Sequence, residues 1–137
     1  MPRLELHQLP GQKRAAEVTR CVEGLYRDGR RVVIWVGDRG RLKVLDDYLW
    51  TYEKLSFMPH AVWVAEGVTD EPVILTSDPV DIDGVDVLVV GDGLPPADWI
   101  AGFAEVHDFV SPGGDGEERV QFWQRCREAG AVEAIGS

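Results

Sequence analysis

The chain has 137 residues, enough to bury a core without disulfides or metal, with 24 acidic against 14 basic side chains and a formal net charge of −10. That excess of negative charge argues against direct nucleic-acid binding, because phosphate repels the chain unless a local basic patch intervenes. No apolar run approaches the ~20 residues of a membrane span, and residues 1–12 lack the apolar core of a signal peptide, so a single cytoplasmic domain over 1–137 is expected.

In chain order, Leu4 and Leu6 alternate with charge and predict a short strand before Pro10-Gly11. From Lys13 to Asp28, Ala15, Val18, Cys21/Val22 and Leu25/Tyr26 recur every three or four residues, an amphipathic helix that Gly29 stops. Arg31-Val-Val-Ile-Trp-Val36 is a β-branched apolar run, the mark of a strand buried on both faces in a parallel sheet. Asp38 can cap the next helix, whose stripe is Leu42, Leu45 and Leu49. Trp50, at its end, is expected in the core.

Residues 51–60 are irregular around Pro59. Residues 61–64, 73–76 and 85–90 read as three strands, 95–100 as a short helix, 103–110 as a further strand, and 117–129 as a closing helix ended by Gly130. Alternating strands and helices predict an α/β architecture, a largely parallel central sheet with helices on both faces. The order of the strands does not follow from the sequence.

Complete catalytic signatures are absent, so no enzyme activity is expected. Gly37-Asp-Arg-Gly40 and Gly91-Asp-Gly93 follow buried strands, where open α/β sheets often take nucleotides. Neither has the glycine spacing of a dinucleotide fingerprint or the Lys and Ser/Thr of a P-loop. A small nucleotide-binding enzyme or regulator using the Gly37–Gly40 turn is the alternative reading. The acidic pairs Asp46-Asp47 and Glu117-Glu118 read as solvated faces. Cys21 and Cys126 read as buried free thiols, and His7, His60 and His107 are scattered without metal-ligand spacing; no cofactor or metal is expected.

The last helix carries Arg119, Trp123 and Arg127 at i, i+4 and i+8, on one face, beside an apolar face of Phe122, Cys126 and Ala129. An aromatic ring between two guanidiniums suits a peptide that ends in an apolar side chain and a carboxylate. A solvated face with arginine stacked on tryptophan is the other reading of the same spacing.

Several segments together resemble one family. Arg27-Asp-Gly-Arg-Arg-Val-Val-Ile34, Leu45-Asp-Asp-Tyr-Leu-Trp50, Ser56-Phe57-Met58-Pro59-His60, Phe103-Ala-Glu-Val-His-Asp-Phe-Val110 and Trp123-Gln-Arg-Cys-Arg127-Glu-Ala-Gly130 are similar, in order and spacing, to segments of the chi accessory subunit of bacterial DNA polymerase III. The resemblance implies a three-layer Rossmann-like fold without catalytic activity. It implies two protein partners: the psi subunit, which anchors chi to the clamp loader, and the acidic, Phe-terminated tail of single-stranded DNA-binding protein. It places psi on Phe57, Met58, Pro59 and His60, and the tail on Val110, Arg119, Trp123 and Arg127. The residues alone leave Phe57 and Met58 open between burial under the loop and exposure to a partner.

Overall fold

The structure is a computed structural model and describes residues 2–11, 14–51, 59–63, 70–112 and 114–134. Its elements are β1 (Arg3–Gln8), α1 (Arg14–Arg27), β2 (Val32–Val36), α2 (Arg39–Thr51), β3 (His60–Val62), β4 (Val73–Thr76), β5 (Val87–Asp92), α3 (Ala97–Ile100), β6 (Glu105–Val110), α4 (Gly114–Glu128) and β7 (Glu133–Ala134). The strands form one sheet in the order β3-β4-β2-β5-β6-β1-β7, and every pairing among them is parallel. The expected α/β architecture is thus present, with α1 and α2 on one face and α3 and α4 on the other.

The pleat of the central strands divides the core. Val32, Ile34 and Val36 of β2 point towards Val18, Val22 and Leu25 of α1 and the Leu42, Leu45, Leu49 stripe of α2. Val33 and Trp35 point the other way, towards Trp99 and Ile100 of α3 and Trp123 and Cys126 of α4. Period-two alternation therefore serves two apolar layers, which is why β2 has no polar position. Each fully buried Val, Leu or Ile contributes about 1.5–3 kcal/mol relative to exposure.

Local signals set the ends. Gly29 takes φ +78° after α1, and the N–H of Arg30 reaches back to Leu25 O at 3.0 Å, closing the last turn. Asp38 caps α2, its Oδ1 accepting the N–H of Arg41 at 3.0 Å.

Trp50 departs from the sequence expectation: it is 55% exposed rather than in the core. Leu49, one residue earlier, holds the inward position, and the helical turn carries Trp50 about 100° away from it. The strand β7, which pairs with β1, was not foreseen either.

Candidate functional site

The end of α2 and the edge strand β3 form the first surface. The His60 ring lies beneath Trp50 with centroids 4.3 Å apart, and its Nε2 is 3.4 Å from Asp46 Oδ1. The His60 side chain is closed to solvent, so of the expected psi-contact residues it supports the surface instead of presenting itself. Pro59 is exposed beside it, and Phe57 and Met58 lie outside the described residues. Among the described residues, the large apolar side chains that are exposed are Val44 (68%), Trp50 (55%) and Val62 (37%), all on α2 and β3.

The last helix is built differently from the expectation. Arg119 and Trp123 are not on an exposed face: both are buried against Asp108 of β6, which has no exposed surface. Arg119 Nη1 donates to both carboxylate oxygens, at 2.9 and 3.0 Å, and Trp123 Nε1 donates to Oδ2 at 2.7 Å. Val110 is buried as well, while Arg127 is exposed in the last turn. The i, i+4, i+8 spacing correctly marks one stripe, but the stripe faces inward for its first two members. A carboxylate in the buried strand Glu105-Val-His-Asp-Phe-Val110 needs cations and donors around it, and these two supply them.

A second cation completes this centre from the other side. Arg14, at the start of α1, donates to Asp108 Oδ1 at 2.7 Å and to the carbonyls of Gly91 (2.7 Å), Phe109 (2.6 Å) and Val90 (2.9 Å). It thereby ties together the C-terminal ends of β5 and β6.

A cleft of about 540 Å³ opens beside these strand ends, walled by Ala15, Val44, Leu45 and Tyr48, with Arg41 and Asp92 in its lining. This is where open α/β sheets place ligands. Here three of the donors that a phosphate could use are already taken by carboxylates. Asp38 accepts the N–H of Arg41, Asp92 Oδ1 accepts the N–H of Gly93 at 2.8 Å, and Asp92 Oδ2 pairs with the Arg41 guanidinium at 2.7 Å. The glycines serve close packing: Gly93 has φ +70°, and a Cβ on it would stand 3.2 Å from Gly37 Cα.

Two of the three histidines, scattered in sequence, meet beneath α1. His7 Nε2 and His107 Nδ1 are 3.0 Å apart, on neighbouring strands β1 and β6, and Cys21 of α1 lies against them. His107 Nε2 is 2.6 Å from Glu105 Oε2. Burial, reinforced by His107, holds His7 below its ordinary pKa. Burial acts to raise the Glu105 carboxyl, but the His107 hydrogen bond and charge, with Arg30 and Arg3, outweigh it and hold the group low. Burial, with Glu5 and Glu105, pushes the Cys21 thiol up to about 12. Spacing gave no sign of this group; only the β1–β6 pairing, which sequence could not supply, assembles it.

The fold is shared with solved structures at very low identity. The C-terminal domain of a Sulfolobus solfataricus SWI2/SNF2 ATPase matches with TM-score 0.57 and 12% identity, over 83% of this chain and 56% of that one. Domain 2 of the DEAD-box helicase Mss116p, bound to an RNA duplex, matches with TM-score 0.61 and 11% identity, over 98% of this chain and 64% of that one. The chain thus spans less than two-thirds of either, and the likeness is one of fold. No curated protein sequence matches it. The family model that matches is that of the DNA polymerase III chi subunit, HolC, over residues 1–132, which takes in both the α2–β3 surface and the Asp108 centre; the chain belongs to that family.

Proposed function

We propose that the chain is a non-catalytic connector of the replicase, docking psi of the clamp loader with one surface and the C-terminal tail of single-stranded DNA-binding protein with another. Family membership already gives it an accessory role in DNA replication. The observation that carries the finer reading is the exposure of Trp50, at the end of α2, and Val62, on β3; the third exposed large apolar side chain among the described residues, Val44, belongs to the cleft wall. Trp50 packs on the His60 ring there, and Pro59 and Val62, on either side of His60 in the chain, are exposed. An exposed tryptophan backed by a ring beneath it is the kind of anchor that dominates protein interfaces.

The tail half of the proposal rests on a smaller set of residues. Arg119 and Trp123 are committed to Asp108, so they hold α4 on the sheet and fix its last turn. Arg127 and Arg125 are the exposed cations of that turn and are the ones available to an acidic peptide. The deciding experiment is co-expression with psi, followed by affinity capture of wild type and Trp50→Ala. Loss of psi from the variant at unchanged melting temperature supports the docking surface, and equal capture places psi elsewhere.

A further inference from the structure

The geometry points to a metal site beneath α1, formed by His7, His107 and Cys21, that takes a borderline-soft divalent cation of the Zn²⁺ class. It is independent of the partner-binding reading, and its residues lie on different elements from the α2–β3 surface.

Imidazole and thiolate are the donor set zinc favours. One ligand atom from each of the three residues lies within 4.8 Å of the others, and the two imidazole nitrogens are 3.0 Å apart. A tetrahedral zinc with Zn–N of ~2.0–2.1 Å and Zn–S of ~2.3 Å keeps its ligand atoms roughly 3.3–3.6 Å from each other. The nitrogens need to part slightly and the thiol to approach by about an ångström, which is within the reach of side-chain rotation.

The surroundings orient these donors as the second shell of a metal site does. His107 Nε2 and Glu105 Oε2 are 2.6 Å apart, and Glu105 is itself paired with Arg3 at 3.2 Å. With Nε2–H donating to that carboxylate, the lone pair on His107 Nδ1 faces His7 Nε2, with the Cys21 sulfur within 4.8 Å, as in the carboxylate–histidine–metal arrangement. His7 is held between the ring of His107, 5.3 Å away and nearly parallel, and that of Phe109 at 4.9 Å. Glu5 Oε2 lies 3.4 Å from His107 Nδ1 on a partly exposed side chain, which leaves an approach from solvent and room for water as the fourth ligand.

Without the cation a proton bridges the site: His7 Nε2–H donates to His107 Nδ1. On binding, that proton moves to His7 Nδ1, the Cys21 thiol releases its proton to solvent, and both nitrogens and the sulfur turn their electron pairs to the metal.

The test uses the full chain stripped with a chelator. Zn²⁺ should bind at one equivalent in calorimetry and raise the melting temperature, while Mg²⁺ does neither. Co²⁺ in its place should give a near-ultraviolet thiolate-to-metal charge-transfer band, lost in Cys21→Ser. Glu105→Gln should weaken Zn²⁺ binding by about tenfold or more. Absence of binding, a cobalt complex without the thiolate band, or binding unaffected by both Cys21→Ser and His7→Gln would overturn the site. Should the variants fail to fold, X-ray absorption of the wild-type zinc adduct decides: one sulfur with nitrogen neighbours upholds it, and a shell without sulfur overturns it.

Discussion

Trp123 and Asp108 are joined through a closed interior, indole Nε1 to carboxylate Oδ2 at 2.7 Å, with the Arg119 guanidinium on the same carboxylate. The arrangement makes Trp123 a structural residue. Trp123→Phe keeps most of the apolar area and removes one hydrogen bond to a buried charge, at an expected cost of about 1.5–3 kcal/mol. Asp108→Ala strips Arg14 and Arg119 of their shared counter-charge and is expected to cost about 3–5 kcal/mol. Urea unfolding of the three proteins measures both. Wild-type stability in Trp123→Phe would return the ring to the surface role that its spacing first suggested.

Trp50 should behave in the opposite way. Truncation to alanine removes an exposed ring and one tilted ring contact with His60, so stability should stay within about 1 kcal/mol of wild type. Affinity for psi should fall by about 2 kcal/mol or more. Paired melting curves and a pull-down separate these effects; a large fall in melting temperature would show that the ring supports the fold.

Arg127→Ala is expected to weaken binding of a labelled tail peptide of single-stranded DNA-binding protein, with fluorescence anisotropy as the readout. Because the attraction is between exposed charges, binding should decline as salt rises. Wild-type affinity in the Arg127→Ala, Arg125→Ala double variant would move the tail off α4.

The strand-end turns predict a stability effect without a ligand effect. Gly93→Ala forces a side chain into φ +70° and against Gly37, and should cost about 1–3 kcal/mol. ATP and NAD should leave the melting temperature of the wild type unchanged, since Asp38 and Asp92 already engage the N–H groups of Arg41 and Gly93. A reproducible nucleotide-induced rise, lost on substitution of Gly37 or Gly40, would restore the nucleotide-binding alternative.

Cys126 is buried between α4 and the sheet, and that burial raises its thiol pKa. Its reaction with a thiol reagent should therefore be slow in the native protein and rapid in urea. Fast native labelling, located by mass spectrometry, would indicate that α4 opens readily.

Most of the fold could be read from short-range pattern. The β-branched run at 31–36, the Leu42, Leu45, Leu49 stripe and the glycines after α1 and α4 each report a local preference that the tertiary structure keeps. What escaped depends on pairing at long range. Neither the two-residue β7 nor the meeting of His7 with His107, a hundred positions on, leaves a periodic trace. The orientation of the α4 stripe escaped for a related reason. Spacing defines a face, but whether that face looks inward is decided by Asp108 on a distant strand. Trp50 shows the converse, since a large aromatic beside a complete leucine stripe has no inward position left to take.

The position of β1 between β6 and β7 has a consequence for synthesis. The earliest strand of the chain pairs with two of the latest, Leu4 facing Val106 on one side and Ala134 on the other. During translation β1 must wait, unpaired, until about a hundred further residues have left the ribosome. The centre of the sheet, β2 with β4 and β5, can assemble in the meantime, since its pairings span shorter stretches of chain. Closure then comes late and over a long loop, the kind of step that slows folding and leaves a nascent chain dependent on protection.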